Sequence, residues 1–215
     1  MLNTKNMDWN DLLSNERLRW TPKPKRLDLD PFFIDEDNII CSQPFRRMKG
    51  KTQVHPLSDN DHVRTRLTHS LEVSSIGFAL GALVGKQVLD IHHLDEFRAN
   101  DIGQIVKAAC LAHDIGNPPF GHIGEKAIEE WFIKDTTFKK RVKNELSGKE
   151  LIDFEKFDGN AQGLRILTNK ENYRNDGGLR LTYATLGALM KYPWGSSSKL
   201  AANGKFGFFL TEKNT

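Results

Sequence analysis

Apolar and polar positions alternate with a helical period through most of the chain. Ile102, Ile105, Val106 and Ala109 recur at three- and four-residue intervals, which predicts an amphipathic helix whose last turn carries His113 and Asp114. Gly116 suits a C-terminal cap for that helix, and Pro118-Pro119 cannot continue its hydrogen-bond ladder. Beyond Gly121 a second helix is expected, because Glu125, Ala127, Ile128, Trp131 and Phe132 resume the spacing. Upstream, Leu67, Leu71, Ile76, Leu80, Val84 and Val88 trace an apolar stripe, so His69 lies on a helix of about seven turns. Leu179–Met190 reads as a further helix, ended by Lys191-Tyr192-Pro193-Trp194, and Lys134–Glu150 as a solvated helical segment and loop. Every element read in this way is helical, and the fold class expected is all-α.

A hairpin closed near Ile91–Ala99 would lay the two long helices antiparallel. At ~1.5 Å per residue His69 then lies roughly 30 Å from the loop and His113 roughly 20 Å, depths that permit the two to meet. Imidazole beside carboxylate suits a divalent first-row metal. A single His-Asp pair also has a plain structural reading as a capped or salt-bridged helix end, and it is the second half, around His69, that changes the balance. His122 and Glu125, three apart at a helix start, can face the same way. There the carboxylate can orient the imidazole for proton transfer. Arg66, three before His69, can grip a phosphate with its fork of donors.

At 215 residues, 38% hydrophobic and 27% charged, the chain is long enough for one good core and ordinary in composition. No run approaches the roughly eighteen apolar residues of a membrane span and no signal pattern opens the chain, so a cytoplasmic protein without a membrane is expected. Two cysteines, Cys41 and Cys110, are too few for a disulfide framework. A net charge of +3 does not mark a nucleic-acid binder. Locally, however, Arg46, Arg47, Lys49, Lys51, Arg64 and Arg66 outnumber Asp59 and Asp61, and would draw a phosphate-rich ligand. Residues 1–40 read as an N-terminal arm with one short helix and a basic cluster, Arg17 to Arg26, that docks elsewhere.

His69 with His113-Asp114 resembles the metal-binding signature of HD-domain phosphohydrolases. Phe45-Arg46-Arg47 with Lys51-Thr52-Gln53-Val54, Arg64 to Ser70, His113 to His122, Asn160 to Leu167, and Leu181 to Leu186 followed by Lys191-Tyr192-Pro193-Trp194 are similar to the deoxyguanosinetriphosphate triphosphohydrolase family, in order over residues 40–210. The resemblance implies an HD-domain fold over 41–215. It implies a divalent ion, Mn2+ or Mg2+ with Fe2+, Co2+ or Ni2+ as alternatives, on His69, His113 and Asp114, with His122 and Glu125 as catalytic pair. It places Gln53 on the deoxyribose, Asn160 in the substrate pocket, and Lys191, Tyr192 and Lys205 on the triphosphate. The implied reaction converts a dNTP to deoxynucleoside and inorganic triphosphate. His55 departs from the family pattern, where an aromatic is expected. The family also completes its metal shell with a later aspartate, carried beyond the equivalent of Thr215, so an incomplete HD domain is expected. Leu179–Met190 and Phe206–Phe209 would then expose apolar faces and favour a homo-oligomer.

Two alternatives stay open. The site can be read as acting on a nucleoside monophosphate or cyclic nucleotide, although a monophosphate needs no tail clamp. The chain can also be read as an inactive nucleotide- or single-stranded nucleic-acid-binding module that regulates a longer enzyme, with a nucleotide or single-stranded DNA as effector.

Overall fold

The computed structural model describes residues 7–19, 29–54, 62–142, 145–169 and 178–213. His55, the Asp59 and Asp61 carboxylates and the basic residues Lys23, Lys25 and Arg26 lie outside them. The described residues form ten α-helices with short 3-10 turns, and their only extended pairings are isolated bridges such as Thr52–Thr65 and Arg17–Thr182. The all-α expectation holds.

The order is α1 (Trp9–Leu12), α2 (Pro31–Ile40), α3 (Gln43–Arg47), α4 (Arg66–His92), α5 (Ala99–Ala112), α6 (His122–Lys134), α7 (Thr136–Val142), α8 (Gly148–Glu155), α9 (Gly159–Thr168) and α10 (Tyr183–Leu189). Local chemistry sets the starts. Asp30 caps α2 by accepting from the Phe32 amide at 2.8 Å, with Pro31 at the first helical position, where its missing N–H costs nothing. Thr65 and Thr68 exchange side-chain and backbone bonds in a capping box that opens α4, and His93 closes it in the left-handed conformation with φ 54°.

α4 and α5 form the expected antiparallel hairpin, but apart from Leu67, which meets the main core cluster, α4 packs little of the apolar stripe. Its buried face is Arg66, Ser70, Ser74, Gly77, Gly81 and Gly85. Leu71, Ile76, Leu80 and Val84 of the stripe are 43%, 62%, 55% and 52% exposed. A Cβ on Gly81 would stand 3.0 Å from the Gly103 Cα, and one on Gly85 would stand 3.0 Å from the Ala99 carbonyl oxygen. The small residues therefore let two helix backbones approach closely, and larger ones are turned away. The same register resolves the unequal depths of the two histidines. Gly85, not His92, faces the first residue of α5, and the last two turns of α4 overhang it.

By length and mean hydropathy, 1.3 over its best window, α4 also passes as a membrane-spanning segment, although polar residues interrupt it and it holds no run of eighteen apolar ones.

The core lies beneath the hairpin. Leu111, Ile115, Leu167, Leu181, Ile39 and Met48 are almost fully buried in one cluster. The described residues of the 1–40 segment, expected as an arm, pack into this body. Leu18 and Ile39 enter the main cluster, and Leu13 and Phe32 pack with Ile105 and Ala184 in a second. Arg17 is fixed by Asp35 at 2.6 Å and by the Arg180 carbonyl at 2.8 Å. Phe206 and Phe209, expected to be uncovered, are 0% and 2% exposed and pack with Ala161, Ala201 and Trp194. The helix expected over Leu179–Met190 is shortened to α10, because Leu181 and Thr182 are drawn out to pair with the segment around Arg17.

Candidate active site

The first turns of α4 carry Arg66 and His69, and the end of α5 carries His113 as its C-cap, followed by Asp114. Hairpin packing brings the rings of His69 and His113 to 5.4 Å between centroids, edge to face. One ligand atom from each of His69, His113 and Asp114 lies within 4.8 Å of the others.

The donor set fits a divalent cation. His113 Nδ1 lies 2.7 Å from the Cys110 carbonyl oxygen, which can only accept, so the ring donates there and Nε2 keeps its lone pair. Asp114 is 5% exposed; its Oδ1 accepts from Asn117 Nδ2 at 2.5 Å, while its buried Oδ2 has no hydrogen bond. Arg66 Nη1 is 2.9 Å from that oxygen, close enough for ion pairing but not aligned to donate to it. Two imidazoles and a buried carboxylate oxygen with a free lone pair suit a first-row divalent ion. Among the described residues no other histidine, cysteine or carboxylate joins this group.

The turn from Ile115 to Gly121 carries the chain from α5 to α6. Gly116 is needed for close approach, not for a left-handed cap. Its φ is not positive, and a Cβ there would stand 2.1 Å from both the Gly159 carbonyl oxygen and the Gly163 amide nitrogen. Left-handed backbone falls instead at Phe120 and Gly121, with φ 66° and 55°, where the chain turns into α6. Lys51 Nζ donates to the Asn117 carbonyl at 2.7 Å and reaches the Ile115 carbonyl at 3.4 Å, tying the turn down from outside. Burial, then the nearby Arg66 and Arg47, lower the Lys51 pKa, and Asp114 partly offsets them.

On the first turn of α6 the His122 ring is exposed, and its Nδ1 lies 2.7 Å from the buried Glu125 Oε2. The Gly159 amide donates to Glu125 Oε1 at 2.9 Å. Burial pushes the Glu125 carboxyl up, but the bonds from His122 and Gly159, with Lys205, outweigh it and hold the group below its ordinary value. Lys205 Nζ sits 3.5 Å from Glu125 Oε2 and 3.4 Å from the fully buried Asp158 Oδ2. Burial alone would lower its pKa, yet these two carboxylates raise it.

A cavity of about 280 Å³ is lined by His113, Asp114, His122, Glu125, Asn160 and Lys191, among others. The remaining expected residues are less uniformly placed. Gln53 is tied to the approach to α4, its amide donating to the Arg64 carbonyl at 3.1 Å, and its buried side-chain oxygen is unpartnered. Tyr192 lies outside the cavity lining, tilted against Trp194 at 5.5 Å with Lys191 Nζ 5.4 Å from its ring centre. Lys205 is engaged with Glu125 and Asp158 and also stays out of the lining. Sequence reasoning missed the roles of Asn117, Lys51 and Asp158. Asn117, three residues after Asp114 in a turn, was findable, whereas Lys51 meets its partners only across 64 and 66 residues.

Residues 66–171, beginning at the first residue of α4, match the HD domain family. Over those residues the chain carries an HD domain. That domain includes the helix of His69, the helix that ends at His113 and the His122–Glu125 pair, and the HD domain is a metal-dependent hydrolase domain. The chain is 49% identical over 211 residues to a deoxyguanosinetriphosphate triphosphohydrolase-like protein of Pseudomonas aeruginosa strain LESB58, covering 96% of this chain and 47% of the relative. A protein of the same description from Synechocystis sp. strain PCC 6803 is 48% identical over 97% of this chain and 49% of its own length. A deoxyguanosinetriphosphate triphosphohydrolase of Enterobacter sp. strain 638 is 35% identical over 85% and 42%. The chain thus spans about half the length of the curated relatives it matches, and fits their N-terminal portion.

Proposed function

We propose that this HD domain hydrolyses deoxynucleoside triphosphates to deoxynucleoside and inorganic triphosphate. The observation that carries the reading is one cavity that joins His113 and Asp114, grouped with His69, to the His122–Glu125 pair. The relatives' names supply the substrate class. At about 280 Å³ the cavity is below the size of common ligand pockets and suits the phosphate portion of a nucleotide.

A divalent cation on His69, His113 and Asp114 supplies Lewis-acid polarisation of a phosphoryl oxygen. The chain's own residues do the rest. Asn117 and Arg66 fix the Asp114 carboxylate. Glu125, kept ionised, holds the Nδ1 proton of His122, which leaves Nε2 to take a proton from the attacking water or return one to the departing 5′ oxygen. Lys191, on the cavity wall, offers a cation to the triphosphate tail. Lys205 serves the carboxylates of Glu125 and Asp158, a contact different from the tail position that the resemblance implied. A homo-oligomer, a nucleotide or single-stranded DNA effector and a cytoplasmic location belong to the same reading.

The test is release of inorganic triphosphate from each of the four dNTPs with Mn2+, comparing the chain with His113→Ala. Release that vanishes in the variant supports the reading and names the preferred base. Orthophosphate as product overturns it. Binding of dNTP without turnover selects the regulatory nucleotide-binding alternative, which the three-ligand metal set favours.

A further inference from the structure

With its small-residue face packed on α5, α4 turns a second ordered face to solvent. Val73, Ile76, Leu80, Leu83, Gln87 and Ile91 follow one another at three- and four-residue steps, the spacing of a coiled-coil seam. Ile76, Leu80, Leu83 and Ile91 are 62%, 55%, 65% and 69% exposed. The seam runs about 27 Å, most of the length of α4, and His69 extends it at the same spacing at the N-terminal end. Isolated exposed leucines need no explanation, but a continuous row in register does.

We propose that this seam is the docking face for an amphipathic helix supplied by the portion of polypeptide that the curated relatives carry beyond the matched part. That portion exceeds the matched length, since the match covers only 47% to 49% of those proteins. A helix of about eighteen residues is long enough to cover the seam, its knobs entering the holes between Ile76, Leu80 and Leu83. A second copy fits less well. Asp90 edges the seam without offering a cation to a second α4, and Glu72 on the same side is already paired with Arg64 at 2.8 Å, so two α4 helices seated antiparallel about a two-fold axis gain no charge pairing from these carboxylates. A lipid surface fits less well too. The opposite face of α4 is committed to α5, and Glu72, Lys86 and Asp90 are exposed along its length.

The proposal goes beyond the hydrolase reading and is tested without it. The full 215-residue chain is co-expressed with the polypeptide covering the remaining part of the Pseudomonas aeruginosa relative, and the mixture is analysed by size exclusion with light scattering and by titration. A one-to-one complex is expected. Leu80→Glu with Leu83→Glu weakens it at least about tenfold, since each variant drives a charge into a dry interface. Ala127→Glu, on the exposed side of α6, leaves it unchanged. Because Leu80 and Leu83 are exposed in the chain alone, the double variant keeps the helicity and melting temperature of the parent. A cross-linker attached at Ile76→Cys, in a Cys41→Ser background, captures one amphipathic helix of the added polypeptide. The proposal is overturned by no association, by a complex indifferent to the double variant, by a homodimer lost in that variant, or by variant-sensitive binding to anionic phospholipid vesicles.

Discussion

Gly116→Ala isolates the contact that holds the turn after Asp114, part of the proposed metal site, against α9. The added methyl would stand 2.1 Å from the Gly159 carbonyl oxygen and 2.1 Å from the Gly163 amide nitrogen, where ordinary contact begins near 3.4 Å. Both obstacles are backbone, so no side chain can swing aside, and the turn must part from α9 by about 1 Å. Overpacking of this kind costs about 1–3 kcal/mol, the upper end applying where backbone has to move. For a chain of this size about 3 kcal/mol lowers the melting temperature by roughly 6–12 °C. Asp114 and Asn117 flank Gly116, so the same shift loosens the carboxylate, and Mn2+ affinity is expected to fall about 10–100-fold, as for other disturbed supports of metal ligands. Gly187→Ala is the control. It lies in α10 with nothing within 4 Å of its Cβ position, and alanine there should leave stability unchanged or raise it by about 0.5–1 kcal/mol. Thermal melts and Mn2+ titration of both variants decide the matter. A Gly116→Ala protein that melts within a degree of the parent and binds Mn2+ equally well refutes the reasoning.

Three further outcomes follow from the same contacts. Glu125 is held below its ordinary carboxyl value, so its contribution to stability is complete above that value and lost as pH falls through the lower folded one. Glu125→Gln should therefore lower the urea midpoint at about pH 7 and flatten its decline toward about pH 3, and an unaltered acid limb would contradict this. Lys205→Met leaves Glu125 and the buried Asp158 without their shared cation, at an expected cost of about 1–3 kcal/mol read by urea unfolding, while a neutral result would mean that solvent screens the contact. Asn117→Ala removes the 2.5 Å bond to Asp114 without touching a ligand; a fall of about tenfold in Mn2+ affinity with little change in melting is expected, and unchanged affinity would remove Asn117 from the site.

Local pattern alone determined the all-α class, the helices around His69, before His113 and after His122, and the two halves of the candidate metal set; α2, α3 and α9 were not legible in it, and α5 ends at Ala112, ahead of Pro118-Pro119. Each of these depends on neighbours a few residues apart, as in His113 next to Asp114 and His122 three before Glu125. Tertiary structure decided which face of α4 goes inward. A helix full of leucine and isoleucine packs through serine and glycine because backbone proximity to α5 depends on what the partner surface admits, and hydropathy does not encode that. Tertiary structure also decided the fate of Phe206 and Phe209, which find their own cover in Ala161 and Ala201, and of the N-terminal segment, anchored by Arg17 to Asp35 and Arg180. Lys51 and Lys205 share that dependence, being ordinary lysines along the chain. They gain a role only where folding closes distances of 47 to 80 residues and sets each beside oxygen atoms withdrawn from water.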